Sequence, residues 1–475
     1  MEFYISEKLS SSAVNNFLTD LSESGKTDVH SLIMYKDNEL LLSLAPDPYS
    51  CTYKRQVYSV SKTLSATGIG ILYDMGLINP DDKICDIFKD KIPKNPSDYL
   101  LQLTVRHLLT MTVGHDCCSM KRIATSNDGV KAFLEMEIVH KPGISYLYDT
   151  GASYMLSAIV TKKTSLSLFD FLYIHVFNPL GMSPVAWPFS GGEINEGGLG
   201  IKLSSEDYAK LALMYLNGGV YNGQRILSED WVNQSLSPQS TGDLARSENW
   251  RCGYGYQFWN CTCGGYRADG AFGQYAIINR EKNLILILFG ESRDVETELE
   301  LCLDFTESVF NNDSEREHNI SLIKERLQSL YPPLVSDERK IPLTCYYLDN
   351  NANNFTLINL SCDGTTMQMN ISDGQTMNCI SAGNGKWIEN SFTAKNFAPQ
   401  LYSLIPDDRC EHCIFVASYT IVSDTYAEIK IKYLNNPHTS LVKIHFSDTF
   451  NLEINKATSP IAEEALVLNG TKISL

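Results

Sequence analysis

The spacing of apolar residues changes about two thirds of the way along the 475-residue chain. Beyond Pro342, apolar and polar residues alternate one by one, which is the pattern of half-buried strands. The alternation is clearest where Ala427, Ile429, Ile431 and Tyr433 are separated by Glu428, Lys430 and Lys432. Charged residues, a short amphipathic segment and a Pro-Pro pair precede this region and predict a domain boundary. We therefore predict a first domain over residues 1–312, a linker with a short helix over 313–342, and an all-β domain, a sandwich or barrel-like, over 343–475.

The first of these domains mixes helical and strand periodicity. Val14, Phe17, Leu18 and Leu21 recur at helical spacing, and two strand-like runs follow on either side of a turn at residues 36–38. Residues 101–185 are mainly helical in pattern, and strands resume at "QYAIINR" and "NLILILFG". A sheet built from both ends of the segment, with helices around it and a helical subdomain between, predicts one α/β layered domain.

The net charge and the N-terminal stretch limit the partners. The formal net charge is -17, so electrostatic repulsion opposes binding to nucleic acid and to anionic membranes. The N-terminal "MEFYISEKLSSS" has acidic residues where a secretory signal has basic ones, and no later segment reaches transmembrane length. We expect a cytoplasmic protein with neither a nucleic acid nor a membrane partner, and its oligomeric state stays open.

The thirteen cysteines are an odd number, which fits reduced thiols better than a disulfide framework. Cys261 with Cys263, and Cys410 with Cys413, have spacings at which thiolates can bind one zinc ion. Neither pair has a second matched pair nearby, so cysteines of loops and strands are the favoured interpretation. We expect no metal and no cofactor.

The stretch "YSVSKTLSATGIGILYDMGLI" places Ser59 and Lys62 one helical turn apart at the start of a predicted helix. A lysine that burial has neutralised can take the proton of a serine hydroxyl and make it a nucleophile. The helix dipole would also stabilise a developing oxyanion at this end. Serine is also a common helix cap and S-x-x-K is a frequent motif, so the pair needs partners elsewhere in the chain.

Two further elements could supply such partners. In "PGISYLYDTGASYMLS", Tyr148 follows a Pro-Gly turn, and a tyrosine beside a lysine ammonium can be held as a phenolate and relay a proton. In "YRADGAFGQYAIINREKNLILIL", Gly270 and Gly273 precede an apolar strand, and glycines let backbone N–H groups approach a ligand closely. The structural alternatives are an ordinary buried tyrosine and a simple β-turn.

Taken in order, these elements resemble the serine β-lactamase and penicillin-binding-protein superfamily, over roughly residues 32–310. The branch it resembles contains class C β-lactamases, D-aminopeptidases, D-alanyl-D-alanine carboxypeptidases and related esterases. The stretches "LTVRHLLTMTVGHD", "FNPLGM", "GGLGIKLSSEDYAKLALMYLNGGVYNGQRILSEDWV" and "GYGYQFW" also look like this branch. The resemblance implies an antiparallel sheet flanked by helices with a helical subdomain, and a C-terminal accessory domain like those of some members.

The resemblance also implies roles for individual residues. The nucleophile falls on Ser59, its paired lysine on Lys62, and the tyrosine of the Y-x-N motif on Tyr148. The K-T-G motif falls on Ala268-Asp269-Gly270. The implied oxyanion hole is the backbone N–H groups of Ser59 and Ala271, and the implied substrate-binding residues are Thr150, Asp269 and Gly270.

Two departures from the family pattern bear on the substrate. Thr150 stands where asparagine is usual, which removes or reroutes one hydrogen bond. The lysine of K-T-G is absent, since Ala268 and Asp269 supply no cation, and Arg267 would point to the opposite sheet face from Ala268 in a regular strand. Substrates without the carboxylate that this lysine holds in β-lactam-processing relatives therefore fit better.

The sequence thus predicts a serine hydrolase that forms an acyl-enzyme with an ester or amide of a small molecule or of a short peptide, D-amino-acid peptides included. The absence of a G-x-S-x-G elbow argues against a Ser-His-acid triad of the α/β-hydrolase type, and we interpret His107 and His115 as structural. Two alternatives stay open: a true β-lactamase or D,D-peptidase, and a catalytically silent ligand-binding protein with the same fold.

Overall fold

The structure is a computed structural model, and it describes residues 1–310, 315–351, 353–395, 410–456 and 466–473. It contains a mixed α/β domain followed by an all-β domain. None of the helices in these ranges combines the length and the apolar character that a membrane span requires.

The first domain is built on an antiparallel sheet of seven strands. In spatial order the strands are Glu2–Ile5, Glu39–Ala45, Thr27–Lys36, Leu284–Ser292, Gln274–Asn279, Tyr266–Gly270 and Trp259–Asn260. Three short pairs lie outside it: Arg55–Gln56 with Lys202–Leu203, Phe189–Ser190 with Ile194–Asn195, and Val220–Tyr221 with Gln224–Arg225. Strands from both ends of the segment meet in one sheet, as the sequence predicts.

Helices surround this sheet. The α-helices are Ser11–Glu23, Ser61–Asp74, Ile84–Ile87, Val105–Leu109, Met120–Ala124, Gly129–Leu134, Thr150–Thr164, Leu168–Leu172, Asn178–Leu180, Ser205–Leu216, Glu229–Leu236, Glu248–Arg251, Val295–Ser308 and Arg316–Ser329. Turns of 3₁₀-helix span Tyr58–Val60, Lys89–Lys91 and Leu100–Gln102, and a π-helical turn spans Tyr173–Phe177. The run of helices between residues 84 and 180 is the helical subdomain that the pattern predicts.

The terminal helices of this unit pack on one another. Ser10 caps helix Ser11–Glu23, and that helix buries Val14, Phe17, Leu18 and Leu21. Its Phe17 stacks on Phe305 at 4.3 Å between ring centroids. Helix Arg316–Ser329 lies in the segment that the composition marks as a boundary, and its buried Ile323 and Leu327 belong to the first hydrophobic core.

The all-β domain is a barrel, which confirms the predicted fold class and decides between the two shapes considered. Its ten strands follow the spatial order Met377–Gly383, Thr366–Ser372, Leu357–Cys362, Ile341–Leu348, Leu466–Lys472, Thr449–Lys456, Thr439–Phe446, Tyr426–Tyr433, Cys410–Ser423 and Ile388–Lys395. A pairing between Gly383 and Ser418 joins the first strand of this order back to the ninth. The alternating apolar residues, among them Ile429, Val442 and Leu452, fill its interior.

The barrel contacts the first domain through a separate small cluster of Tyr49, Tyr331, Val416 and Leu434. Polar contacts flank this cluster: the ammonium of Lys432 lies 3.1 Å from the carboxylate of Asp28, and the backbone N–H of Gln56 donates to the carbonyl of Asn435 at 3.1 Å. A cleft of about 630 Å³ stays open beside these contacts, lined by residues of both domains, including Gln56 and Leu434.

Candidate active site

Ser59 and Lys62 lie side by side at the start of the buried helix Ser61–Asp74. Ser59 belongs to the 3₁₀ turn Tyr58–Val60 that leads into this helix, and Lys62 is in the helix's first turn. The ammonium nitrogen of Lys62 lies 3.0 Å from Oγ of Ser59. Ser59 is partly exposed, whereas Lys62 is only 1% exposed. A reachable hydroxyl therefore lies against a lysine that water does not reach.

The burial of Lys62 changes its chemistry. Removal from water disfavours the charged form and lowers the pKa of Lys62 to about 7, although Cys118, Asp149 and Asp269 act in the opposite direction. A substantial fraction of the lysine is then a neutral amine near neutral pH. Lys62 can thus accept the proton of Ser59.

Two more contacts fix the lysine. Its nitrogen donates to the carbonyl of Gly198 at 2.8 Å and lies 3.3 Å from Oγ1 of Thr150. A Cβ added to Gly198 would lie 2.7 Å from the methyl group of Thr150, so the chain can come this close only at a glycine. Gly198 was not among the predicted site residues, although it lies in the quoted "GGLG" run.

Asp149 holds the start of helix Thr150–Thr164 and is 1% exposed. It accepts hydrogen bonds from the backbone N–H of Gly151 and of Ser119, both at 2.9 Å, and from the Ser119 hydroxyl. Nδ1 of His115 is 3.0 Å from its other oxygen. Burial alone would raise the pKa of Asp149, but these hydrogen bonds hold it below its usual value. The contacts fix the helix end that carries Thr150.

Tyr148 covers the lysine. The ammonium lies 4.8 Å from the centroid of the Tyr148 ring, and this ring stacks on Trp259 at 5.6 Å. Burial raises the pKa of Tyr148, and its hydrogen bond with Ser59 acts in the opposite direction. The raised pKa favours the neutral phenol over the phenolate considered from the sequence, so Tyr148 can donate a proton but does not serve as the resting base.

The strand that corresponds to K-T-G has a buried ion pair instead of a free lysine. Arg267 is fully buried, and its Nε donates to the carboxylate of Asp269 at 3.0 Å. These two side chains share the sheet face opposite Ala268, in line with the predicted alternation. The guanidinium also lies 4.4 Å from the Trp250 ring centroid and 5.5 Å from that of Trp259. Its positive charge is enclosed and paired.

The same strand passes directly beside the Ser59 turn. A Cβ added to Gly270 would overlap the carbonyl oxygen of Val57, so only glycine permits this approach. Ala271 follows at the start of the turn to the next strand. The structure thus brings the predicted residues Ser59, Lys62, Tyr148, Thr150, Asp269, Gly270 and Ala271 to one region of the first domain.

His107 and His115, the two histidines interpreted as structural, have structural contacts. Nδ1 of His107 accepts from the backbone N–H of Thr104 at 3.1 Å and completes a cap of helix Val105–Leu109. The contact of His115 with Asp149 fixes the helix that carries Thr150. Neither histidine contacts the Ser59 hydroxyl in the described hydrogen bonds.

One of the possible cysteine ligands contacts a cationic side chain. Sγ of Cys261 lies 3.6 Å from the guanidinium of Arg267. Of the second pair, the side chain of Cys410 lies outside the described residues.

A cluster of Asp28, His30 and Glu291 also has ligand-like spacing. The side chains of Arg55 and Lys432 bond to His30 and Asp28, and this positive charge would repel a metal cation.

Solved structures show the same fold. The octameric penicillin-binding-protein homologue from Pyrococcus abyssi is 15% identical, with a TM-score of 0.51 over 96% of this chain and 99% of that one. A putative 6-aminohexanoate-dimer hydrolase from Bacillus anthracis is 17% identical, with a TM-score of 0.52 over 61% of this chain and 81% of that one. EstCE1, a hydrolase with promiscuous acyltransferase activity, is 12% identical, with a TM-score of 0.53 over 63% of this chain and 99% of that one.

A match at the level of sequence agrees with these structural matches. It also agrees with the geometry of Ser59, Lys62 and Tyr148. The family model described as beta-lactamase covers residues 14–300, which is more than half of the chain and includes every predicted site residue. The chain belongs to the beta-lactamase family.

Proposed function

We propose that this protein is a serine hydrolase that cleaves an ester or amide bond of a small molecule or short peptide through an acyl-enzyme on Ser59. The observation that carries the proposal is the pairing of the Ser59 hydroxyl with a buried lysine whose pKa lies near 7. A hydroxyl needs such a base before it can attack a carbonyl carbon.

In the acylation step, neutral Lys62 takes the proton of Ser59 as Oγ forms a bond to the carbonyl carbon. The carbonyl electron pair moves to its oxygen, which accepts hydrogen bonds from the backbone N–H groups of Ser59 and Ala271. When this intermediate collapses, the bond to the leaving group breaks. The leaving group takes a proton from the phenol of Tyr148, and the Lys62 ammonium restores that proton.

In the deacylation step, water attacks the acyl carbon while neutral Lys62 takes one of its protons. The acyl–Oγ bond then breaks, the Lys62 ammonium returns its proton to Oγ of Ser59, and the acid product leaves. Lys62 is the base in both half-reactions, so its pKa should determine the pH dependence of both the acylation and the deacylation rate.

The charges around the site favour substrates without a carboxylate. Ala268 offers no cation, the guanidinium of Arg267 is buried against Asp269, and the whole chain carries a net charge of -17. An anionic substrate group would approach against this charge and find no partner of opposite sign at the K-T-G position. Neutral or cationic esters and amides, including D-amino-acid derivatives, fit better. The putative 6-aminohexanoate-dimer hydrolase from Bacillus anthracis and EstCE1, a hydrolase with promiscuous acyltransferase activity, support acyl chemistry on this fold.

The test is release of nitrophenol from p-nitrophenyl acetate and butyrate, compared with turnover of the cephalosporin nitrocefin. Both are measured for the wild type and for Ser59→Ala, with Ser235→Ala as a matched control. Ser235 is a fully buried serine of helix Glu229–Leu236 and is not among the proposed site residues. We expect ester turnover that falls at least about 1,000-fold in Ser59→Ala and nitrocefin turnover that is slow or absent.

Each other outcome has a defined meaning. Ester turnover that Ser59→Ala leaves intact refutes the assignment of the nucleophile. Nitrocefin turnover faster than ester turnover favours the β-lactamase alternative. No turnover, together with no covalent labelling of Ser59 by a fluorophosphonate probe, favours the silent binding protein.

A further inference from the structure

The barrel reaches into the first domain with the loop between its strands Tyr426–Tyr433 and Thr439–Phe446. At the end of this loop, the backbone N–H and hydroxyl of Thr439 both donate to the carboxylate of Glu291, at 2.7 Å each. Glu291 belongs to a strand of the first domain's sheet. The loop is therefore tied to that domain by buried, charge-assisted hydrogen bonds, which are stronger than neutral ones.

His438 is the innermost residue of this loop and is 1% exposed. Its Nε2 lies 2.7 Å from the hydroxyl of Tyr58, and its ring meets the Phe272 ring edge-on at 4.5 Å. Tyr58 and Phe272 also contact each other, at 5.1 Å between centroids. One histidine of the barrel thus touches two aromatic residues that come from distant parts of the first domain.

Those two aromatic residues are the immediate neighbours of the proposed oxyanion donors. Tyr58 precedes Ser59, so the first N–H belongs to the peptide that joins them, and Phe272 follows Ala271. Both aromatic residues have left-handed backbone conformations, with φ of +47° and +65°. Non-glycine residues adopt such conformations at an energetic cost, and only where their surroundings hold them.

The environment of His438 fixes its orientation. Its backbone N–H donates to the side-chain oxygen of Asn436 at 2.8 Å, and Nδ1 faces the carboxylate of Glu291 at 3.8 Å. A carboxylate on that side favours the tautomer with its proton on Nδ1, which leaves Nε2 to accept the hydrogen of the Tyr58 hydroxyl. The ring is thereby aimed at Tyr58.

We propose that His438 of the barrel is a positioning residue for the oxyanion hole of the first domain. It keeps two turns correctly aligned with each other, one that carries the N–H of Ser59 and one that carries the N–H of Ala271. Hydrolysis therefore depends on the docked barrel. The inference rests on the proposed function and gives the C-terminal domain a role in it. His438 itself does not touch the substrate.

The test compares His438→Ala, His438→Gln and Tyr58→Phe with the wild type, using p-nitrophenyl butyrate. His445→Ala is the matched control, because His445 is an exposed barrel histidine that stacks on Tyr426. Loss of a whole oxyanion donor costs about 100- to 1,000-fold in kcat, so misalignment of the donors should cost His438→Ala about 10- to 100-fold. KM should stay within about threefold, since binding of the substrate's other parts is untouched. We expect His438→Gln to lose less kcat than His438→Ala, because the glutamine amide can still bond to the Tyr58 hydroxyl.

Tyr58→Phe removes one hydroxyl and keeps the ring, so it tests the same contact without loss of packing. We expect it to lower kcat as His438→Ala does, and the double variant to be no worse than the more impaired single variant, because both break one interaction. Thermal unfolding and gel filtration check that each variant is folded.

The results separate the inference from the function on which it rests. An active wild type whose kcat is unchanged in folded His438→Ala and Tyr58→Phe overturns the inference alone. Defects in KM without defects in kcat overturn it too, because they indicate a binding role. A wild type that neither hydrolyses the ester nor reacts with a fluorophosphonate probe refutes the proposed function and the inference with it.

Discussion

Replacement of Lys62 by methionine should change the free energy of unfolding by an amount that depends on pH. The lysine is buried, and its pKa falls from 10.5 to about 7 on folding. Because the folded pKa is the lower one, the unfolded chain binds more protons between these values, and the wild type loses stability as the pH falls from 10.5 to 7. Methionine has a similar volume and no charge, so the Lys62→Met variant does not lose stability in this way as the pH falls.

The size of the effect follows from the two pKa values. The titration of Lys62 contributes to the free energy of unfolding of the wild type, and this contribution is about 4 kcal/mol lower at pH 6 than at pH 10. A protein without the lysine has no such contribution. Against this, methionine leaves the Gly198 carbonyl and the Thr150 hydroxyl without their shared donor, at about 1–3 kcal/mol. Lys62→Met should therefore be more stable than the wild type at pH 6 and less stable at pH 10. Its ester turnover should be lost at both.

The assay is urea unfolding from pH 6 to pH 10 at constant ionic strength. Tryptophan fluorescence is a suitable signal, because Trp187, Trp231, Trp250 and Trp259 lie in the first domain. Lys141→Met, which changes an exposed lysine, is the control and should show no such trend. A stability difference between Lys62→Met and the wild type that is the same at every pH would refute the reasoning, since Lys62 would then not be a neutral base near pH 7.

Two further substitutions test the surroundings of the site. Asp149→Asn replaces an acceptor of several buried hydrogen bonds and should cost about 3 kcal/mol at pH 7 in urea unfolding. The hydrogen bonds hold the pKa of the folded carboxyl below the usual 3.8, so the cost should shrink as the pH falls below that value and the unfolded wild type takes up the proton. An equal cost at pH 3 and pH 7 would contradict this. Glu298 is buried and its pKa is raised to about 8, so its contribution to stability is present below pH 4.5 and lost as the pH rises through 8. As the pH rises from 5 to 9, the free energy of unfolding of Glu298→Gln should therefore increase by about 4 kcal/mol relative to that of the wild type. Thermal unfolding at these pH values measures this difference. If it shows no relative increase, the carboxyl is already ionised at pH 5 and the prediction is wrong.

The sequence alone could predict the features that depend on local spacing. Ser59 and Lys62 meet because residues three apart share a helix face, and Arg267 lies opposite Ala268 because side chains alternate along a strand. The alternation of residues 427–433 predicts the strands of the all-β domain, although it does not distinguish a barrel from a sandwich. Each of these predictions needs only the geometry of one helix or strand.

The features that the sequence could not predict depend on contacts between distant segments. The low pKa of Lys62 requires the enclosing Gly198 and Tyr148, which come from other parts of the chain. The contact between Tyr58 and His438 joins residues 380 positions apart and crosses two domains. His438 sits in a loop with ordinary turn residues, "NNPH", and no local pattern distinguishes it from a surface histidine.

The altered K-T-G strand connects substrate choice with the strength of the base. Arg267 places a positive charge close to the site, and an unpaired charge there would lower the pKa of Lys62 further and attract carboxylates. Asp269 pairs with this arginine, and its own charge acts on Lys62 in the opposite direction. Burial sets the low pKa of Lys62, and the charge of Asp269 limits that fall while it also neutralises Arg267. Under the proposed function, this ion pair leaves Arg267 unavailable as a substitute for the K-T-G lysine, so β-lactams that carry a carboxylate should be poor substrates.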